Sequence, residues 1–291
     1  MENILDDEFV IQMDDSPPFS WIRQTPNRFM SCNVGNKIGT IQVNAEGNAL
    51  IFAAMARDRI GDGVFKIGNS FSLSGEGTNC IITYSGQLKK ALIAMETSEN
   101  KGIVISSGGV IKNLARSKGW DYIPLPKGYP SRFLFPEVFG CLLSLSGMRI
   151  DASSLENFID SISPSEITSY NEAKGLAALL ADKQFTVIYD ENSIGLAMRF
   201  QRIFNQNAGV TVEVREVSQL KYEGSDINEN SAVLFLTPSD LSIKSISVGN
   251  FPYDSTTTAG YLKNALIGEF SSLYLGLLRS KEIELLDIGI E

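Results

Sequence analysis

The chain has 291 residues and not one histidine. That absence excludes a Ser-His-Asp triad, a Cys-His dyad, an HExxH metal helix and a histidine proton shuttle near neutral pH. Acid–base work must fall to Asp, Glu, Lys, Tyr or water. Cysteine is scarce too. Cys32, Cys80 and Cys141 are odd in number and widely spaced, so they read as small buried apolar residues rather than a disulfide framework or a zinc site. No metal or cofactor is expected. Positive charge is in deficit, with 25 Lys+Arg against 34 Asp+Glu and a net charge of -9. A nucleic-acid backbone selects the opposite balance, so no nucleic-acid partner is expected. Apolar runs all fall well short of the roughly 20 residues that span a bilayer. The acidic stretch Met1 to Asp15 also lacks the basic start of a signal peptide. A soluble, cytoplasmic protein is the expectation.

What remains is an ordinary globular composition, 43% hydrophobic, in which short apolar runs alternate with helical periodicity. Ala49 to Ala56 (ALIFAAMA), Cys80 to Tyr84, Gly102 to Ile105, Phe185 to Tyr189 and Ala232 to Leu236 suit strands covered on both faces. Helices are expected over Gln87 to Thr97, Val110 to Lys118, Ile194 to Asn205 and Gly260 to Leu278. The pattern predicts an α/β fold with parallel sheets. The polar, Ser-rich stretch Ser146 to Ser165 suits a junction, with part of it available to a short linking helix. A cut near Met148 gives an N-terminal domain over 1–148, which includes the acidic N-terminal segment, and a C-terminal domain over 149–291.

Three places are equipped for chemistry. Thr83-Tyr84-Ser85-Gly86 ends a buried strand just before a helix, where hydroxyls and backbone N–H groups cradle anions. A Ser-Gly turn is also ordinary loop chemistry. Ser106-Ser107-Gly108-Gly109 occupies the same position after the next strand, and adjacent parallel strands would open both loops onto one crevice. Pro126 to Glu137 (PKGYPSRFLFPE) is a proline-stiffened loop holding Arg132. Its guanidinium can fork onto phosphate or carboxylate, although loop arginines commonly face solvent.

The order YSG, SSGG, then PKGxPSR resembles the sugar isomerase (SIS) fold, in particular the archaeal bifunctional phosphoglucose/phosphomannose isomerases. Those carry SYSGNTxET, a TSGG or TTGG turn and a P-x-G-x-PR-like loop in the same order. Ile194 to Ala208 (IGLAMRFQRIFNQNA) is similar to the family helix ending in F-N-E-N-A-K. Lys221 to Gly224 (KYEG) is similar to its W-x-E-G segment. The likeness spans roughly residues 45 to 290. It implies two SIS domains, each a parallel sheet flanked by helices, usually in a homodimer with sites near the interface. It also implies a phosphorylated sugar as ligand, held by Thr83, Ser85, Gly86, Ser107 and Arg132.

The departures from the family pattern fall on its chemistry. Aligned on Ala49 to Ala56 as first strand, the family's Gly-Gly-Ser-Gly turn becomes Met55-Ala56-Arg57-Asp58, where Arg57 would either add a second cation for the ligand or occlude the pocket with its own side chain. The Asn-Thr after YSG is Gln87-Leu88. The glutamate of F-N-E-N, which is the family's base, is Gln206, and a neutral amide takes no proton. The histidine pair is replaced in Val217 to Leu220. A positioned base is worth about a hundred- to ten-thousand-fold in rate, so little isomerisation is expected. Three readings follow. One is a sugar-phosphate binder with weak or no catalysis. The second is an active isomerase with a relocated base, for which Glu213, Glu216 and Glu223 are the sequence's nearest carboxylates. The third is a scaffold dimer that binds no sugar.

Overall fold

The apolar run Ala49 to Ala56 is helical: it lies within the N-terminal two-thirds of a helix over Asn48–Ile60. Eight apolar residues fit a buried helix as well as a buried strand, and alanine, half of this run, has the highest helix propensity. Glycines bound the helix on both sides, and the Gly61 amide donates to the Arg57 carbonyl at 2.8 Å. The first strand therefore lies upstream, at Ile41–Asn44. The turn that follows it is Ala45 to Gly47, not Met55 to Asp58.

This architecture comes from a computed structural model that describes residues 4–32, 34, 38–68, 71–73, 77–219, 231–236 and 247–279. The chain packs as two compact units, one built on Arg28–Ile150 and the other joining Met1–Asn27 to Asp151–Ile288. The acidic N-terminal segment, expected with the first half of the chain, packs with the second unit. Its described helices are α1 (Glu8–Gln12), α2 (Phe19–Arg23) and α3 (Thr25–Met30), the last running into the first unit.

In the first unit the described elements run β1 (Ile41–Asn44), α4 (Asn48–Ile60), β2 (Phe65–Gly68), β3 (Thr78–Ile82), α5 (Lys89–Thr97), β4 (Gly102–Ser106), α6 (Gly109–Lys118), β5 (Asp121–Pro124) and α7 (Phe135–Leu145). All strand pairs are parallel and the order is β2-β1-β3-β4-β5. Register pairs Ile41 with Phe65 and Thr78, so β1 is central. Phe71, Ile81, Val104, Ile111, Ala115 and Trp120 form a core between this sheet and the helices α5 and α6. All three cysteines are reduced and buried, and burial pushes the Cys80 thiol up to about 12.

The second unit adds α8 (Ser153–Ile162), α9 (Glu172–Leu180), β6 (Gln184–Tyr189), α10 (Ile194–Ala208), β7 (Val212–Glu216), β8 (Ser231–Phe235), β9 (Ser247–Asn250) and α11 (Thr258–Leu278). Its described strands are again parallel, in the order β7-β6-β8-β9. The long α11 is buried along most of its length against α9 and α10. A buried Arg199–Glu269 ion pair at 2.6 Å ties it to α10. No described helix is long and apolar enough to cross a membrane.

Asp6 anchors the N-terminal segment. Its Oδ1 accepts from the Thr168 amide at 2.8 Å, the Thr168 hydroxyl at 2.9 Å and the fully buried Lys174 ammonium at 3.2 Å. Burial acts to raise the Asp6 carboxyl, but Thr168 and Lys174 together outweigh it and hold it below its ordinary value. A carboxyl depressed by folding stabilises above its unfolded pKa of about 3.9, and that contribution is lost as pH falls through the folded value. Asp6→Asn is therefore expected to cost about 1–2 kcal/mol at neutral pH, the usual scale for partly exposed charge-assisted hydrogen bonds. In strong acid, urea unfolding of wild type and variant should coincide.

Candidate functional site

β1 and β3 are neighbours, yet the chain leaves them in opposite directions. β1 leads through α4 to β2 on one side, while β3 leads through α5 to β4 on the other. The order 2-1-3-4-5 places a topological switch point at the carboxyl ends of β1 and β3, where open α/β sheets form a ligand crevice. Two loops flank it, Ala45 to Gly47 after β1 and Thr83 to Leu88 after β3.

Helix starts at this edge are left unfinished. α4, α5 and α6 begin at Gly47, Leu88 and Gly108, with no capping side chain and no acidic residue in the first turn. Side-chain caps are found at α1, α9 and α11, through Asp7, Asn171 and Thr257, while α2, α7, α8 and α10 also start without one. Uncapped helix N-termini keep free N–H groups and a partial positive charge, which suit an anion. Gly47 has φ 60 and ψ -133, a conformation that favours glycine, and a side chain there would meet nothing within 4 Å. The space in front of α4 is open.

The structure brings four of the five expected ligand residues together. Thr83 is buried, and its hydroxyl makes no hydrogen bond among the described residues; its amide donates to the Ile105 carbonyl at 3.1 Å. Ser85 is exposed, and its Oγ accepts from the Gln87 amide at 3.3 Å, leaving its proton free. Gly86, at φ 66, packs so closely on Gly108 that a side chain would run into the Gly108 carbonyl. Ser107 is spent on structure: its amide donates to the Tyr84 carbonyl at 3.1 Å and its hydroxyl to the same oxygen. With the Ile111 amide donating to the Gly86 carbonyl at 3.0 Å, the two loops are sewn into one rim.

Arg132 lies in the short helical turn Ser131–Phe133, its guanidinium 4.9 Å from the Phe133 ring centre. Its neighbour Ser131 accepts from Asn48 Nδ2 at 3.1 Å, which holds this loop at the start of α4. Arg57 belongs elsewhere. It lies nine residues beyond Asn48, ~13 Å along α4, near Asp62 at 3.5 Å. It does not occlude the crevice.

Sequence reasoning missed four residues here. Glu46 and Lys90 form an ion pair at 2.9 Å that joins the loop after β1 to the first turn of α5. Asn48, buried, leaves Oδ1 without a hydrogen bond, and Asn44 at the end of β1 leaves both ends of its amide so. Buried polar atoms without partners are rare in native proteins and cost about 1–3 kcal/mol each, which marks this edge as one shaped for something polar. Only recognition of β1 as a strand would have exposed them.

The remaining expected residues are in the second unit. Gln206 is on α10 and half-buried. Glu213 accepts from Arg215 at 2.8 Å and Glu216 from Ser218 at 2.7 Å, both on β7. Val217 packs on the cluster of Ile188, Val233 and Phe235. Leu220, Lys221 to Gly224 and with them Glu223 lie outside the described residues.

Comparison with known proteins defines the class of fold. Over 97% of each chain, the structure matches a glucose-6-phosphate isomerase-like protein from Thermus thermophilus, at TM-score 0.67 and 17% identity. It matches tagatose-6-phosphate ketose/aldose isomerase from Escherichia coli over 94% of each chain, at TM-score 0.61 and 12% identity. The α/β architecture of parallel sheets flanked by helices is that of these SIS-fold neighbours. In sequence, the chain is 26% identical over 151 residues to the D-glucosamine-6-phosphate 4-epimerase of Sulfolobus acidocaldarius. That match covers 50% of this chain and 49% of the enzyme, so the chain spans about half the length of the curated relative it matches. No family model matches.

Proposed function

We propose that the crevice between β1 and β3 binds a phosphorylated sugar. The observation that carries this reading is the convergence, at one switch point, of the free Thr83 and Ser85 hydroxyls, uncapped helix starts and the orphaned amide atoms of Asn44 and Asn48. Free donors and a positive helix end suit the phosphate, and the amides suit sugar hydroxyls. The similar proteins bear the names of phosphosugar enzymes, which supports the same ligand class. Gln206 stands where the resemblance places the family's base, so the family's own route of proton transfer is closed. The occluded-scaffold reading loses its ground with Arg57. We carry over from the resemblance a homodimeric, cytoplasmic protein.

A thermal-shift series with inorganic phosphate, glucose 6-phosphate, fructose 6-phosphate and glucosamine 6-phosphate tests the proposal. At about 100 times its dissociation constant, a ligand adds about 2.7 kcal/mol to wild-type stability. The double variant Thr83→Val, Ser85→Ala is expected to weaken binding by about ten- to a hundredfold, the equivalent of one charge-assisted hydrogen bond. Ser107→Ala should lower the stability of the free protein more than its affinity, since that hydroxyl is used by Tyr84. Absence of any shift in the wild type sinks the reading.

A further inference from the structure

We infer that Glu46 and Lys90 form the acid–base pair of this crevice, able to move a proton on the carbon next to the carbonyl of an open-chain sugar phosphate. The inference rests on the sugar-phosphate reading above and adds a chemistry to it. Elimination starts the argument. With no histidine in the chain, the base must be a carboxylate or a neutral amine or phenolate. Among the described residues of the loops at the carboxyl edge of the first sheet, after β1 to β5, Glu46 is the one carboxylate. Glu137, further along, is buried against Arg28 at 2.7 Å and is not available.

Position is the second argument. Glu46 sits in the three-residue loop after β1, one residue before the glycine that opens the space ahead of α4. Lys90 sits in the first turn of α5, which follows Thr83, Ser85 and Gly86. The pair therefore spans the switch point, from the strand end that carries the orphaned amides to the helix start that suits the phosphate. In sequence its members are 44 residues apart.

The step balances without an oxidant or a metal. The Glu46 carboxylate takes the proton from the carbon beside the carbonyl, and the C–H electron pair becomes the carbon–carbon double bond of an enediol. The carbonyl π pair moves to oxygen, which takes its proton from the Lys90 ammonium. Return of the proton from Glu46 to the neighbouring carbon, with transfer of a hydroxyl proton back to Lys90, converts aldose to ketose. Return to the original carbon from the other face would invert it, and return to the same face exchanges its hydrogen with solvent.

The test is solvent exchange. The full-length protein is incubated in deuterated water with glucose 6-phosphate, fructose 6-phosphate or glucosamine 6-phosphate, and deuterium on the carbon beside the carbonyl is followed by NMR. Wild type is expected to introduce deuterium faster than buffer. Glu46→Gln should reduce the protein-dependent rate at least a hundredfold while the dissociation constant, measured by calorimetry, changes less than about threefold. Glu46→Asp, which keeps the carboxylate but draws it back by one methylene, should fall between them. Lys90→Met should slow exchange and also weaken binding. Exchange that persists in Glu46→Gln overturns the assignment. Wild type that binds a sugar phosphate without exchanging its proton also overturns it and leaves the binding reading standing; wild type that binds none of the three overturns both.

Discussion

Glu137→Ala is expected to destabilise the first unit by about 3–5 kcal/mol, the cost of leaving one member of a buried ion pair alone. Arg28 donates from Nε to Glu137 Oε1 and from Nη2 to Oε2, both at 2.7 Å, and the two side chains are 9% and 8% exposed. The same guanidinium donates to the Phe133 carbonyl and lies 4.5 Å from the ring centre of Tyr129. Arg28 thus ties α3 to α7 and to the loop that carries Ser131 and Arg132. Removing the carboxylate takes the counter-charge from a buried cation, a far larger loss than any exposed pair of this unit would give. Glu46→Gln, at the exposed Glu46–Lys90 pair, should move stability by no more than about 1 kcal/mol. Urea unfolding of the two variants beside wild type checks the contrast; a loss below about 1 kcal/mol in Glu137→Ala would contradict it.

Gly86→Ala should remove binding and stability together. At φ 66 any L side chain carries a penalty of about 1–2 kcal/mol, and here the new methyl would also overlap the Gly108 carbonyl and approach Ser106 Oγ to 2.9 Å. Both obstacles belong to the other loop of the rim, so relief requires the two loops to part. We expect a loss above about 2 kcal/mol and no thermal shift with any hexose 6-phosphate. Gly128→Ala is the matched control. Gly128 has φ 91 but nothing within 4 Å of an added methyl, so only the backbone penalty applies. Similar losses at the two positions would show that the loops are not packed as described.

The same packing explains how much of the fold was legible. β3, β4, β6 and β8 are inner strands of their sheets, and sheet neighbours on both sides leave a continuous apolar run for sequence to show. β2, β5 and β7 are edges with mixed exposure, Phe65–Gly68 for example burying only its first residue, and they went unseen. β1 is central but short and ends in a buried asparagine, so the longer apolar run after it took its place. That single exchange of helix for strand carried Arg57 into the site and left Glu46 out. The hydroxyl-glycine loops were legible because strand and helix flank them directly. Ser107's occupation by Tyr84 was not, since a backbone carbonyl on the neighbouring loop leaves no mark on sequence. Nor was the Glu46–Lys90 pair, which depends on the adjacency of β1 and β3.

The seam between the loops after β3 and β4 has a consequence for recognition. Thr83, Ser107 and Ile111 donate backbone hydrogen bonds across it, each to a carbonyl of the chain itself. Chain freedom around Ser85 and Gly86 is thus surrendered during folding, not at the moment of encounter. A ligand arrives at a mould already set, so its grip is limited by the contacts it makes and not by ordering the loop that makes them.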